Sequence, residues 1–259
     1  MEIKDFLIES ALLSQGLISI SAEEMERLWP PEFNNIAWLA KGQIKIGGMN
    51  EFLPFRAQKQ SRRIDYYHLK EAKAQGLSGA LTASGTMRLA EEIGLTLVVS
   101  CGIGGIGDIK GEELCPDLPA LAESSCSLLA TSPKDVVNIE ASLNWLRNHK
   151  VPLIGIGTHI CDGYLFKGKA FPLDYELDLN HPLTRPQRGL ILYGIAEDKR
   201  LKDINLLEEA IQAGKEAESK GLAFHPAVNA YFDQASKGYS SEIQFESLIA
   251  NAKLAQEYF

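Results

Sequence analysis

Cysteine is scarce in this sequence, and long apolar runs are missing. Only four cysteines occur in 259 residues, and none is spaced as Cys-x-x-Cys. This predicts reduced thiols in a cytoplasmic protein. The first ten residues carry four charged side chains, so they lack the apolar centre of a secretory signal peptide. No stretch approaches the roughly 18 uninterrupted apolar residues of a membrane span, and we expect no membrane partner.

Positive charge is scarce as well. The chain has 26 Lys and Arg against 34 Asp and Glu, which gives a formal net charge of −8. Nonspecific binding to nucleic acid requires a basic face, so a small-molecule substrate fits this composition better. With 45% hydrophobic residues and no Pro-, Gly- or Ser-rich linker, the sequence predicts one domain over residues 1–259 with a sizeable core.

The order of the periodic segments predicts an α/β protein with a largely parallel sheet and helices on its faces. Near the amino terminus, residues 5–9 could form a first strand. Ser21 and Glu24 form a capping-box pattern for a helix through Trp29. Two apolar segments that flank Lys41-Gly42 predict a hairpin. The remaining predicted elements are a helix over 82–93, strands over 95–100 and 127–131, a helix that begins at Pro133, a strand over 151–157, and three amphipathic helices within 203–221, 226–238 and 242–259.

Open α/β sheets bind ligands where strands end and helices begin, and several such places carry unusual side chains. Glu9 ends the first predicted strand, although the local pattern fits an exposed carboxylate better than a catalytic one. The turn over 82–87 opens a helix and could present N–H groups to an anion. The glycine-rich loop over 101–117 could approach a ligand closely or be a plain tight turn. Its acidic residues could hold Mg or Mn, or could simply be solvated.

Lys134 is the fourth candidate. If a helix begins at Pro133, Lys134 lies in its first turn, where the partly positive helix end disfavours the ammonium form. More of the neutral amine would then be available to attack a carbonyl carbon, as a Schiff-base nucleophile does. The alternative is a side chain that extends into water and pairs with Asp135. The pattern alone leaves both interpretations open.

An ordered set of motifs changes this balance: IES...SQG, KQSRRID, GALTASGTM, GIGGIG, DLPALA, ATSPKDVVNIEASLNWL and VPLIGIGT. In this order they resemble the pseudouridine-5′-phosphate glycosidases, also called indigoidine synthase A-like proteins. The resemblance runs from about Phe6 to the carboxyl terminus. It implies a three-layer α/β fold with a mostly parallel or mixed central sheet and helices on both faces. It also implies reversible cleavage of the carbon-carbon bond of pseudouridine 5′-phosphate, which gives uracil and ribose 5-phosphate.

The resemblance assigns roles to particular residues. The family's nucleophilic lysine matches Lys134, its catalytic glutamate matches Glu9, and a substrate-contacting lysine matches Lys59. The 5′-phosphate is expected near Thr82 and Ala83. The substrate-binding segment corresponds to Cys115, Pro116 and Asp117, with Cys115 at the position of a family serine. Glu113 takes the place of a manganese-binding Asp, so Glu113 and Asp117 are the expected metal ligands. A homotrimer is also implied.

Departures from the family pattern concern the base and the metal. The family has Ser-His-Gly where this chain has Ser14-Gln15-Gly16, and His-Arg where this chain has Gly107-Asp108. YGIAED replaces Asn-Pro-Ile-Pro, and His225-Pro226 replaces Thr-Pro. We therefore expect retained sugar chemistry with a base partner that could differ. The alternatives are an enzyme that joins ribose 5-phosphate to a non-uracil ring, and a noncatalytic sugar-phosphate binder.

The remaining histidines and arginines receive plainer interpretations. His68, His149, His159, His181 and His225 show no metal-ligand spacing, which favours surface or hydrogen-bonded roles. Arg62 and Arg63 could bind phosphate or a neighbouring subunit, although a structural role is favoured.

Overall fold

The computed structural model describes residues 5–58, 62–179 and 188–259. Its strands are β1 (Leu7–Ile8), β2 (Ile36–Ala40), β3 (Gln43–Gly47), β4 (Arg62–Ile64), β5 (Gly79–Leu81), β6 (Leu97–Val99), β7 (Gly102–Ile103), β8 (Ser127–Ala130), β9 (Ser132–Pro133), β10 (Leu153–Ile156), β11 (Ile160–Cys161), β12 (Phe171–Pro172), β13 (Tyr175–Leu177) and β14 (Gly189–Leu192). Its α-helices are α1 (Ala22–Leu28), α2 (Met49–Arg56), α3 (Leu69–Ala74), α4 (Ala83–Glu92), α5 (Asp117–Glu123), α6 (Ile139–Asn148), α7 (Asn205–Ser219), α8 (Phe224–Ala235) and α9 (Tyr239–Tyr258).

One ten-stranded sheet organises the molecule. Its strand order is β13-β10-β14-β8-β6-β1-β2-β5-β4, and β3 pairs with β2 beside this path. The pairs of β2 with β3 and with β5 are antiparallel, while the other pairs along the path are parallel. The expected mixed, mostly parallel sheet is therefore confirmed.

Helices cover both faces of this sheet, as expected for a three-layer fold. Successive strand residues point to opposite faces, so Leu7 and Ile8 belong to two different apolar clusters. One cluster includes Met25, Phe52, Val228 and Phe245 from α1, α2, α8 and α9. The other includes Leu69, Met87, Leu121 and Leu146 from α3, α4, α5 and α6.

Local signals near the amino terminus are confirmed in detail. The Ser21 hydroxyl accepts a hydrogen bond from the Glu24 N–H at 3.1 Å, and the Glu24 carboxylate accepts one from the Ser21 N–H at 3.0 Å. This is the predicted capping box of α1. The predicted hairpin is β2–β3, in which Lys41 and Gly42 both have positive φ, as the tight turns of hairpins require.

The prediction that a helix begins at Pro133 is wrong. Ser132 and Pro133 instead form β9, which pairs in parallel with β7. Helix α6 begins six residues later at Ile139, where the Asn138 side chain accepts the Ala141 N–H at 2.9 Å. The fixed φ of proline suits extended backbone as well as a first helical turn, and the pairing with β7 decides between them.

The carboxyl third follows the prediction: α7 falls within its expected segment, while α8 and α9 overlap theirs but begin two and three residues earlier. Among the helices of the described ranges, none is both long enough and apolar enough to cross a membrane. The single domain over residues 1–259 stays a prediction.

Candidate active site

Glu9 directly follows the central strand β1 and is buried, with 5% of its surface exposed. The interpretation as an exposed strand-end carboxylate is therefore wrong. The Ser100 hydroxyl donates a 2.8 Å hydrogen bond to Glu9 Oε1. Burial raises the pKa of the Glu9 carboxyl, and the Ser100 hydrogen bond and the positive charge of Lys134 offset this only in part. The carboxyl thus keeps its proton to a higher pH than an exposed glutamate does, which suits a group that must both give and take a proton.

Lys134 lies half-buried in the loop between β9 and α6, outside any helix. Its N–H donates to the Ile103 carbonyl at 3.0 Å, and its own carbonyl accepts from the Val137 N–H at 3.1 Å. The explanation of its reactivity by a helix dipole therefore fails. Lys134 is positioned by strand pairing between β7 and β9 instead.

Asp135 fastens the loop that carries Lys134. Its carboxylate accepts hydrogen bonds from three successive backbone N–H groups, those of Tyr164, Leu165 and Phe166, at 2.8, 2.7 and 3.2 Å. Burial raises the pKa of Asp135 to about 6 even though these hydrogen bonds favour the charged form. The carboxylate is thus occupied by backbone amides, and Lys134 lines a cleft instead of forming the alternative pair with Asp135.

The amino terminus of α4 opens onto the same cleft. Thr82 caps this ten-residue helix by accepting the Gly85 N–H at 3.2 Å, and Ala83 is its first residue. Thr82 and Ala83 both line the cleft. A helix amino terminus presents backbone N–H groups and a partial positive charge, which suits a phosphate.

Asp117 joins this helix terminus to the glycine-rich loop. It is buried at the start of α5, where its Oδ1 accepts the Ser84 N–H at 3.1 Å and its Oδ2 accepts the Gly104 N–H at 3.0 Å. Each carboxylate oxygen therefore already accepts a backbone hydrogen bond. Asp117 lines the cleft, and its two hydrogen bonds hold the start of α4 against the glycine-rich loop.

The two neighbours of Asp117 in the predicted substrate-binding segment differ from each other. Cys115 lines the cleft, and burial raises the pKa of its thiol well above the ordinary value, so the thiol stays neutral. A Cβ added to Gly104 would collide with the Cys115 side chain, which explains the glycine at that close approach. Pro116 stands at the start of α5 and is not among the described residues that line the cleft.

Together these elements form one narrow cleft with a volume of about 40 Å³, which we call the inner cleft. It brings together most of the predicted site residues: Glu9, Thr82, Ala83, Cys115, Asp117 and Lys134. Lys59 lies outside the described residues, so its substrate contact stays a prediction.

Several residues of the inner cleft were not predicted to belong to the site: Gln15, Arg63, Tyr164, His225 and Asn229. Two of them stand at departures from the family pattern, namely Gln15 for a His and His225 for a Thr. These two replacements were the sequence signal that could have identified Gln15 and His225 as site residues. For Arg63 a structural role was favoured over phosphate binding, yet Arg63 lines the inner cleft, and its positive charge acts on Glu9.

His225 and Glu112 form a pair that sequence reasoning missed entirely, because 113 positions separate them. The Nε2 atom of His225 lies 3.0 Å from Glu112 Oε2. Burial lowers the pKa of His225, and although Glu112 acts in the opposite direction, the charges of Lys134 and Arg63 add to the lowering. The hydrogen bond from His225 lowers the pKa of Glu112. At neutral pH the pair is therefore a neutral imidazole that donates Nε2–H to a carboxylate.

The predicted manganese site at Glu113 and Asp117 does not fit this arrangement. Glu113 is exposed, it does not line the inner cleft, and its Oε1 accepts the Gly111 N–H at 3.4 Å. Within residues 5–58, 62–179 and 188–259, no three or more His, Cys, Asp and Glu side chains are grouped so that they could hold a metal ion.

Comparison with known proteins gives a consistent result. Residues 33–258 match the model of a family described as indigoidine synthase A like protein. A pseudouridine-5′-phosphate glycosidase of Alkaliphilus metalliredigens is 27% identical over 277 residues, covering 96% of this chain and 89% of that protein. One from Geobacillus kaustophilus is 28% identical over 234 residues, covering 83% of this chain and 78% of the other.

Two solved structures share the fold. An indigoidine synthase A-like protein from Thermotoga maritima superimposes with a TM-score of 0.77 at 19% identity, covering 99% of this chain and 94% of the other. The prealnumycin C-glycosynthase AlnA, in complex with ribulose 5-phosphate, has a TM-score of 0.73 at 21% identity, covering 98% of this chain and 89% of the other.

Proposed function

Because the chain belongs to the indigoidine synthase A like protein family, we propose that it is an enzyme that cleaves or forms the C-glycosidic bond between ribose 5-phosphate and a nitrogenous base. The observation that carries this proposal is that Lys134 and Glu9 line one cleft, with the Glu9 carboxyl buried and the charge of Lys134 acting on it. The relatives named pseudouridine-5′-phosphate glycosidases make pseudouridine 5′-phosphate the first substrate to test.

The carbon-carbon bond between sugar and base explains why the reaction needs an amine. The leaving base offers no oxygen or nitrogen at the scissile bond to protonate, so the paired-carboxylate scheme of ordinary glycosidases does not apply directly. The neutral amine of Lys134 would form a bond to C1′ while the bond from C1′ to the ring oxygen breaks. Its nitrogen lone pair would then form the C1′=N bond of an imine as the bond from C1′ to the base breaks.

Glu9 can balance the protons of this sequence. Protonated Glu9 gives its proton to the ring oxygen as the sugar opens, and the resulting carboxylate takes one from the Lys134 nitrogen after attack. Glu9 then donates that proton to the base carbon as the base leaves. Water hydrolyses the imine to the aldehyde, and the released lysine ammonium returns a proton to Glu9. In the reverse direction these steps would join base and sugar. The raised pKa of Glu9 supports this alternation.

The phosphate end of the substrate would lie at the start of α4. The start of α4 supplies a partial positive charge and the Ala83 N–H, because the N–H groups of Ser84 and Gly85 already donate to Asp117 and Thr82. Arg63 adds a full positive charge to the inner cleft. Lys59 is proposed as a further phosphate or sugar contact from the family resemblance. No step of this proposal requires a metal ion.

Intact-mass spectrometry after borohydride reduction tests the proposal. The enzyme is incubated with ribose 5-phosphate and reduced, so that an imine becomes a stable secondary amine. We expect the wild type to gain the mass of one reduced sugar phosphate and Lys134→Gln to gain none. Lys169→Gln is the matched control, because Lys169 is exposed and pairs with Glu140 outside the inner cleft. Equal labelling of Lys134→Gln and wild type would refute the proposal and leave the alternative of a noncatalytic sugar-phosphate binder.

The second candidate is an enzyme that joins ribose 5-phosphate to a ring other than uracil. Gln15 and His225, which both line the inner cleft, stand where the family pattern has His and Thr, and this favours a different base. Release of uracil from pseudouridine 5′-phosphate distinguishes the candidates. Normal sugar trapping without uracil release would support the second. The homotrimer is also a proposal, and sedimentation equilibrium would test it.

A further inference from the structure

A second cavity adjoins the inner cleft, and we call it the outer cavity. It has a volume of about 640 Å³ and is open to solvent. Gln15, Arg63, His225 and Pro226 line both spaces, so the two are continuous. The scissile bond in the proposed reaction joins the base to C1′, the carbon that Lys134 attacks. The base must therefore extend from Lys134 into whatever space adjoins the sugar.

His225, which lines the inner cleft together with Lys134, also lines the outer cavity. The positive charge of Lys134 acts on both Glu112 and His225. Glu112 belongs to the outer cavity, whereas His225 faces both spaces. The outer cavity thus begins close to the bond that is made or broken.

The walls of the outer cavity suit a flat, mostly apolar ring system. Ile109 and Phe224 are almost fully buried and line it, while Leu222 is 64% exposed on the short turn between α7 and α8. The loop that carries Ile109 is tied to α7, because the Lys110 N–H donates to Glu218 Oε1 at 2.6 Å. Arg63, Lys110, Glu112 and Glu218 also line the outer cavity, so it combines apolar with charged groups, and its volume leaves room for more than one pyrimidine ring.

His225 is held in one orientation at this boundary. Its Nε2 donates to Glu112 at 3.0 Å, and its ring meets the Phe224 ring edge to face, with centroids 5.6 Å apart and planes at 85°. A neutral imidazole that donates from Nε2 keeps Nδ1 as an acceptor. A side chain fixed in this way can select a ring that has an N–H or O–H on its edge, because no entropy is lost in ordering it.

From this geometry we infer that the outer cavity is the aglycone subsite, that it takes a planar ring system larger than a single pyrimidine, and that His225, oriented by Glu112, contacts the polar edge of that ring. This inference rests on the proposed function and specifies the class of base that the enzyme takes beside ribose 5-phosphate. His225 is then a specificity-determining residue at the boundary of the two spaces.

The test separates the sugar half from the base half. Wild type, His225→Ala and Glu112→Gln are each trapped with ribose 5-phosphate and borohydride, which measures the sugar half alone. The trapped proteins, with the inner cleft filled, are then titrated calorimetrically with uracil, with bicyclic xanthine and with tricyclic lumichrome. His159→Ala and Glu176→Gln are the controls, since His159 and Glu176 form an exposed pair of the same kind at 2.6 Å, away from both cavities.

We expect at least one larger ring to bind the trapped wild type more tightly than uracil, and trapping to be unchanged in the two control variants. His225→Ala should weaken that ring about tenfold, which corresponds to one hydrogen bond of about 1.4 kcal/mol. Glu112→Gln should weaken it less, and the control pair should have no effect. Tighter binding of uracil than of both larger rings, or equal binding to wild type and His225→Ala, would overturn the inference while normal trapping leaves the proposed function intact. Failure of trapping in the wild type itself would refute the proposed function instead.

Discussion

Removal of the Asp117 carboxylate should destabilise the fold and loosen the phosphate end of the inner cleft. This carboxylate accepts two backbone hydrogen bonds, from Ser84 at 3.1 Å and from Gly104 at 3.0 Å. A hydrogen bond to a charged group contributes about 1.5–3 kcal/mol, so Asp117→Ala should lower the free energy of unfolding by roughly 3–6 kcal/mol. Asp117→Asn keeps one acceptor oxygen and should lose about half of that.

Urea unfolding followed by circular dichroism measures these differences. A typical domain is stable by about 5–15 kcal/mol, so Asp117→Asn should stay folded and allow kinetics even if Asp117→Ala is marginal. In Asp117→Asn we expect the KM for ribose 5-phosphate to rise, because the start of α4 is no longer fastened to the glycine-rich loop. Asp108→Ala is the control, since the Asp108 side chain is 99% exposed. If Asp117→Ala unfolds within about 1 kcal/mol of the wild type, the bridging role of Asp117 is refuted.

Three further predictions concern the other acidic residues. Burial raises the folded-state pKa of Glu9, so the stability that its protonated form contributes is present at low pH and is lost as the pH rises through that pKa. The free energy of unfolding of Glu9→Gln should therefore increase relative to that of the wild type as the pH is raised, and the variant should lose bond cleavage. A difference in unfolding free energy that stays constant across a pH series of urea unfolding would contradict this. Asp135→Ala leaves three backbone N–H groups without their acceptor and should cost roughly 3 kcal/mol in urea unfolding together with most of the trapping rate. A trapping rate equal to that of the wild type would show that Asp135 does not position Lys134. Glu113→Gln should leave both trapping and its response to added Mn²⁺ unchanged, because Glu113 is exposed and outside the inner cleft; a loss of either would restore Glu113 as a metal ligand.

Local sequence signals predicted those parts of the fold that local interactions determine. The capping box of Ser21 and Glu24 and the turn at Lys41-Gly42 involve residues within a few positions of each other, and both are confirmed. The short strand β9 was mistaken for a helix start because its partner β7 lies about thirty positions away. No local pattern around Pro133 contains that pairing.

The site residues likewise divide into those that the sequence indicated and those that only the fold brings together. Glu9 and Lys134 were candidates from the local pattern, and the family resemblance assigned their catalytic roles, but the burial of Glu9 and the backbone contacts of Lys134 depend on distant strands. The pair of His225 and Glu112 joins two segments more than one hundred positions apart, and neither residue has a local pattern of its own. The family resemblance assigned Asp117 to substrate and metal. Its bridging role was missed because Ser84 in α4 and Gly104 after β7 are brought together only by the fold.

Tandem mass spectrometry of the reduced adduct tests the central claim most directly. The wild-type enzyme is incubated with ribose 5-phosphate, reduced with borohydride and digested, and the modified residue is identified by fragmentation. The account predicts a single reduced sugar phosphate on the side-chain nitrogen of Lys134. Modification of a different lysine, or no modification at all, would contradict it.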